Sequence, residues 1–193
     1  MGISEIAIKI RDDITIATGV VVVRDLLTFS DADDDNAVTL DVKGYRQTDS
    51  FSCGFVAGLM ALHTFYPKRS IDRFYKLVSP DRDWGTSTTR LLRALRSSGV
   101  AVTNQRNLNF DSLYDTVQAG YPLITTVKNG TADDEHWIMI YGVGKSPKRV
   151  FIAGNSIPVF GYLTRDHEMR WVDFKKIWAP NGFGLVCSGK GAR

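Results

Sequence analysis

The segment CGFVAGLMALHTF, opening at Cys53, constrains the chain more than any other. Its apolar residues Phe55, Val56, Leu59, Met60, Leu62 and Phe65 point in several directions around a helix rather than along one stripe. Such a helix must be covered on most sides and belongs at the centre of the fold. Ala57, Gly58 and Ala61 leave room for close neighbours, and Pro67 falls just beyond its end. A cysteine on the threshold of this helix has two readings. It is a small buried hydrophobe, or it is a thiolate whose charge the helix N-terminus stabilises, with a pKa below the free value of about 8.5.

At 193 residues and 21.5 kDa the chain has room for one well-buried domain, and no linker divides it. With 44% hydrophobic and 23% charged residues, disordered and fibrous classes are excluded. No apolar run reaches the length of a membrane span, because GVVVVRDLLTF is broken by Arg24 and Asp25. The N-terminus lacks a signal-peptide layout, so a cytoplasmic location is the default expectation, which an effector exported without a cleaved signal would share. The two cysteines, Cys53 and Cys187, suit free thiols better than a disulfide framework, and Cys187 reads as a packing residue in an apolar strand.

A net charge of +3 makes the surface mildly basic, yet the acidic residues cluster in SDADDDNAVTLD and TADDEH. Arg90, Arg93 and Arg96 lie opposite Leu91, Leu92 and Leu95 on one helix and read as its solvated face, so no nucleic-acid partner is expected. The DADDDNAVTLD stretch lacks the glycine and the bidentate glutamate of a calcium loop. No cofactor or metal is required.

Residues 3 to 29 are rich in Ile and Val and read as strands or an extension packed on the domain. After the Cys53 helix the pattern predicts a second helix at 71 to 78. A third begins near Thr86 or Ser87 and closes at Gly99, and a fourth runs through FDSLYDTVQAG. From there PLITTVKN, HWIMIYGV and RVFIAGN read as strands separated by turn residues. They are followed by a short strand at EMRW, a helix at DFKKIW capped by Asp173, and a last strand, FGLVCSG. Helices followed by an antiparallel sheet make an α+β fold.

A nucleophilic Cys53 needs a base, and the chain has three histidines. His63, on the same helix, lies roughly 15 Å along the axis and cannot reach the thiol, so it reads as a core or helix-end residue. His167, in TRDHEMRW, is a weaker second candidate to His136. If HWIMIYGV and RVFIAGN pair through the loop Gly144-Lys145-Ser146-Pro147, Val143 faces Lys148, Met139 faces Ile152 and His136 faces Asn155. Directly opposed residues have Cβ atoms about 4.5 to 5.5 Å apart, which suits an amide that holds an imidazole in one tautomer. Taken alone, His136 and Asn155 are also what a strand start and a strand end commonly carry.

Gln47, five residues, Cys53-Gly54 opening an apolar helix, His136-Trp137 opening a strand, and Asn155 ending the next together resemble the papain-like cysteine peptidases. The likeness is nearest to the domains that process double-glycine leader peptides of bacteriocins and to their stand-alone relatives. It extends to WGTSTTRLLRALRSSGV, DSLYDTVQAGYPLI and VDFKKIW. It implies a papain-like fold over 45–193, with the Cys-bearing helix packed on a C-terminal antiparallel sheet and residues 1–44 as a strand-rich extension. It also implies Cys53 as nucleophile, His136 as base and acid, Asn155 as orienter, Gln47 with the Cys53 N–H as oxyanion donors, and a peptide or protein substrate. Ser52 and Asn155 depart from the pattern, each standing where those domains usually carry Asp. The same triad would serve an acyl transferase or deamidase in the manner of phytochelatin synthases. A cell-wall amidase and a non-catalytic binding module of the same fold are further alternatives.

Overall fold

A computed structural model describes residues 15–17, 20–25, 36–47, 49–128, 135–153 and 167–189. The apolar run forms helix α1 (Cys53–Phe65), whose residues from Cys53 to His63 are all buried. The side chains that cover it come from α2 (Ile71–Val78), α3 (Thr88–Ser97) and the sheet. Gly58 is one place where this demands a glycine, since a Cβ there would lie 2.6 Å from Leu91 Cδ1 and 3.0 Å from Phe74 Cζ.

The helix boundaries follow local chemistry. Ser70 and Ser87 accept hydrogen bonds from the Arg73 and Arg90 N–H groups, satisfying donors that a helix start leaves unpaired. Helix α4 (Phe110–Gln118) carries a capping box between Asn109 and Ser112. Gly99 and Gly120, just past α3 and α4, have φ of 100° and 89°.

The main sheet is antiparallel, in the order β5 (Ala101–Gln105), β10 (Gly184–Ser188), β6 (Leu123–Lys128), β7 (Glu135–Lys145), β8 (Lys148–Ala153), β9 (His167–Arg170). Strand β3 (Ala37–Thr39) pairs with the far end of β7, beyond the stretch that β6 occupies. Two of these strands stand apart from a simple order of helices and then sheet: β5 falls between α3 and α4, and β3 precedes every helix. A second sheet joins β1 (Thr15–Ala17), β2 (Val20–Asp25) and β4 (Gly44–Arg46), and β4 leads directly to Gln47. Helix α5 (Trp171–Ile177) begins two residues before the expected cap. Asp173 sits in its first turn and binds Arg170 and Lys176 instead, because Met169 and Arg170 are still held in β9.

The β7–β8 hairpin differs from its expected register. The turn is Ser146-Pro147 alone, so Lys145 pairs with Lys148 and Val143 with Val150. An irregularity between Ile140 and Gly142 then shifts the ladder by one residue, giving Ile140 opposite Ile152 and Met139 opposite Ala153. The expected pairs Val143–Lys148 and Met139–Ile152 are therefore not formed, and Asn155 lies outside the described residues.

Candidate active site

The approach to α1 is built by Asp49, a residue the sequence did not single out. Its Oδ1 accepts from the backbone N–H groups of Phe51 (2.9 Å) and Ser52 (2.7 Å), which closes the turn before the helix. The Ser52 side chain makes no cap bond. Gln47, buried at the end of β4, donates from Nε2 to the Asp49 carbonyl oxygen at 2.5 Å. One N–H of that amide is thus used for orientation and the second is not.

The first turn of α1 is pressed against the start of β7. A Cβ on Gly54 would lie 2.6 Å from Thr86 Cβ and 2.9 Å from Trp137 Cδ1, so only glycine permits the approach. Trp137 is held there by its indole N–H, which donates to the Thr86 carbonyl oxygen at 2.9 Å, and by an edge contact with Phe183. Gly54→Ala is expected to destabilise the protein by about 1 to 3 kcal/mol through overpacking. It should also speed alkylation of Cys53, as the added methyl pries the cover from the thiol; urea denaturation and iodoacetamide labelling measure the two effects.

Cys53 therefore begins α1 where the first turn of that helix packs against Trp137, the residue after His136. Cys53 and His136 are both buried, at 7% and 6% exposure. Burial pushes the Cys53 thiol above its ordinary pKa and the Asp49 charge adds to this, while the Trp137 and Gly54 N–H groups pull the other way without prevailing. Burial also holds the His136 imidazolium down to about 4.

This has a consequence for stability. An imidazole in the unfolded chain titrates near 6.5, so between that pH and about 4 the unfolded state binds the extra proton. Stability is full above the window, falls as pH drops through it, and is lower by about 3 kcal/mol below it. Denaturant titrations on either side of the window should show this loss in the wild type and a smaller one in His136→Gln.

The other two histidines lie elsewhere in the fold. His63 bridges Tyr45 Oη through Nδ1 and the Arg69 carbonyl oxygen through Nε2 (2.8 Å). The carbonyl can only accept, so Nε2 carries the proton and Nδ1 accepts from the tyrosine. His167 pairs in β9 with Ile152, which pairs with Ile140 in β7. Its backbone is thus roughly 13 Å along the strands from the level of His136 and about 10 Å across them, beyond the reach of an imidazole. Cys187 is fully buried in β10, its thiol pushed up to about 12 by burial, and packs as expected.

Buried polar atoms normally find partners. Gln47 Oε1, Asp49 Oδ2, Ser52 Oγ, Thr86 Oγ1 and His136 Nε2 are among the buried side-chain atoms with no hydrogen-bond partner among the described residues. Gln47, Asp49 and Ser52 lie on the approach to α1, Thr86 packs on Gly54, and His136 precedes Trp137 in β7. A separate cleft of about 590 Å³ lies between α4, α5 and the 178–182 turn, with Phe110, Trp171 and Trp178 in its walls. None of Gln47, Cys53 and His136 lines it.

Comparison with known proteins shows the family and the fold. The model of the Peptidase_C39 like family matches residues 39–184. The fold is similar to that of the peptidase domain of Streptococcus ComA, a bifunctional ABC transporter involved in a quorum-sensing pathway, at 18% identity and TM-score 0.59, covering 79% of this chain and 98% of that one. A double glycine motif protease from an AMS/PCAT transporter, solved with its leader peptide, matches at 17% identity and TM-score 0.57, covering 79% and 95%. The Streptococcus mutans ComA peptidase domain matches at 19% identity and TM-score 0.52, covering 74% and 96%. No curated protein matches the chain.

Proposed function

Because the chain belongs to the Peptidase_C39 like family, whose members are papain-like cysteine peptidases, we propose that it cleaves a peptide or isopeptide bond through a thioester on Cys53. The observation that carries this reading is the packing of the first turn of α1, which opens with Cys53, against Trp137, the neighbour in β7 of a buried His136 whose Nε2 has no partner among the described residues.

Either charge alone is disfavoured in this buried setting, but moving the thiol proton to His136 creates both at once. Their attraction at short range offsets much of the desolvation. The sulfur attacks the carbonyl carbon as that proton leaves, and the carbonyl oxygen becomes an oxyanion facing the second N–H of Gln47 and the Cys53 N–H. His136 then gives its proton to the leaving amine as the C–N bond breaks, and water resolves the thioester by the reverse transfers. Asn155 is assigned the role of holding the imidazole in its working tautomer.

Gln47→Ala is expected to lower kcat by on the order of 10² to 10³ while KM changes little, because the donor acts on charge present only in the transition state. A loss of stability with unchanged kcat would make Gln47 a turn residue only.

The function is tested by mass spectrometry of the protein mixed with a peptide library and a set of free amines. Peptide products carrying new carboxyl termini support hydrolysis. Amide products formed with the added amines would assign the thioester to acyl transfer, and release of ammonia without chain cleavage would assign deamidation.

A further inference from the structure

Trp84 is 89% exposed, whereas Trp137 and Trp178 are buried. A single exposed apolar side chain is ordinary, but a Trp is the side chain that most often anchors a partner, and it can do so where its backbone is rigid and close to a site. Both conditions hold here. Asp81 and Gly85 exchange two backbone hydrogen bonds (2.7 and 2.9 Å), and Asp81 Oδ1 accepts from the N–H groups of Asp83 (2.9 Å) and Trp84 (3.0 Å). The loop is then fastened to both halves of the candidate site. Gly85, at φ 66°, sits over the Phe51 carbonyl oxygen, where a Cβ would come to 3.4 Å, and Thr86 packs on Gly54 while receiving the Trp137 indole N–H.

From the exposed indole we infer that Trp84 is a specificity-determining contact for the peptide substrate, taking an apolar side chain two or three residues from the scissile bond. The spacing follows from reach. Trp84 is two residues from Thr86, which touches the residue after the nucleophile, and an extended peptide covers that span of roughly 7 to 11 Å in two to three residues. The occupant is the substrate because the loop packs on the turn that leads to Cys53 and on the first turn of α1. An aromatic face offers a large, stiff contact area with little entropy lost on binding. This inference rests on the peptidase reading and refines it.

The test compares cleavage profiles of wild type, Trp84→Ala and Trp84→Phe on one synthetic peptide library, with iodoacetamide labelling of Cys53 as the check that the site is intact. The wild type is expected to favour Leu, Ile, Phe or Val over Gly and Ser at one position two or three residues from the cut by about tenfold. Trp84→Ala should lose that preference, and Trp84→Phe should keep most of it. An unchanged profile in Trp84→Ala overturns the inference while leaving the peptidase reading standing. If the wild type cleaves nothing, that reading fails, and acrylamide quenching of Cys53→Ala with a leucine-rich decapeptide mixture decides the contact separately. Shielding that disappears when Trp84→Phe is added supports it, and absence of shielding overturns it.

Discussion

Cys53→Ala is expected to lower kcat by on the order of 10⁴ to 10⁶ with the fold retained, because removing a nucleophile leaves only substrate binding and oxyanion stabilisation. The substitution deletes one buried atom, so its cost in stability should be small beside its effect on turnover. Cys187→Ala supplies the contrast. Its sulfur is fully buried in β10 with a weak contact to the Leu185 carbonyl oxygen, and turnover should stay within about twofold of wild type. Steady-state kinetics on a peptide identified by library cleavage, with circular dichroism on each variant, separates the two. Equal losses for both cysteines would point to folding rather than chemistry.

His136→Ala is expected to fall nearly as far, by on the order of 10⁴, since in the proposed mechanism the proton that leaves the sulfur and the proton that reaches the amine both pass through this ring. The effect should not add to that of Cys53→Ala, as the two residues act as a unit. Asn155→Ala should lose less, because an imidazole without its orienter still samples the working tautomer part of the time. His167→Ala should retain turnover, given the strand-level separation between β9 and the start of β7. An inactive His167→Ala beside an active His136→Ala would reassign the base.

Where local chemistry decides the outcome, the sequence was a good guide. The apolar circumference of CGFVAGLMALHTF led to a central helix, and that helix is buried from Cys53 to His63. Ser87 and the glycines at 99 and 120 marked real helix ends, and His63 was placed correctly as a core residue by its distance along the axis alone. The misses are of another kind. Strands β3 and β5 are short, with little apolar alternation, and exist because β7 and β10 offer them an edge. The hairpin register turned on whether Gly144 and Lys145 belonged to the loop or the strands, and on an irregularity that no local pattern announces. A helix N-terminus at Cys53 is visible in the sequence, whereas the cover over the first turn of that helix comes from Trp137 and Thr86, remote in the chain. Asp49 and Trp84 escaped notice because each gains its meaning from what the folded chain sets beside it.

The most direct measurement of the central claim is acid quenching of the protein seconds after mixing with a cleavable peptide, followed by intact mass and fragment mapping. The account predicts a covalent acyl adduct on Cys53, equal in mass to the amino-terminal part of the peptide less water. The adduct should be absent from Cys53→Ala, present in Cys187→Ala, and accumulated when hydrolysis is slowed relative to acylation. Product formation with the acyl group on Cys187, or turnover that persists in Cys53→Ala, would contradict it.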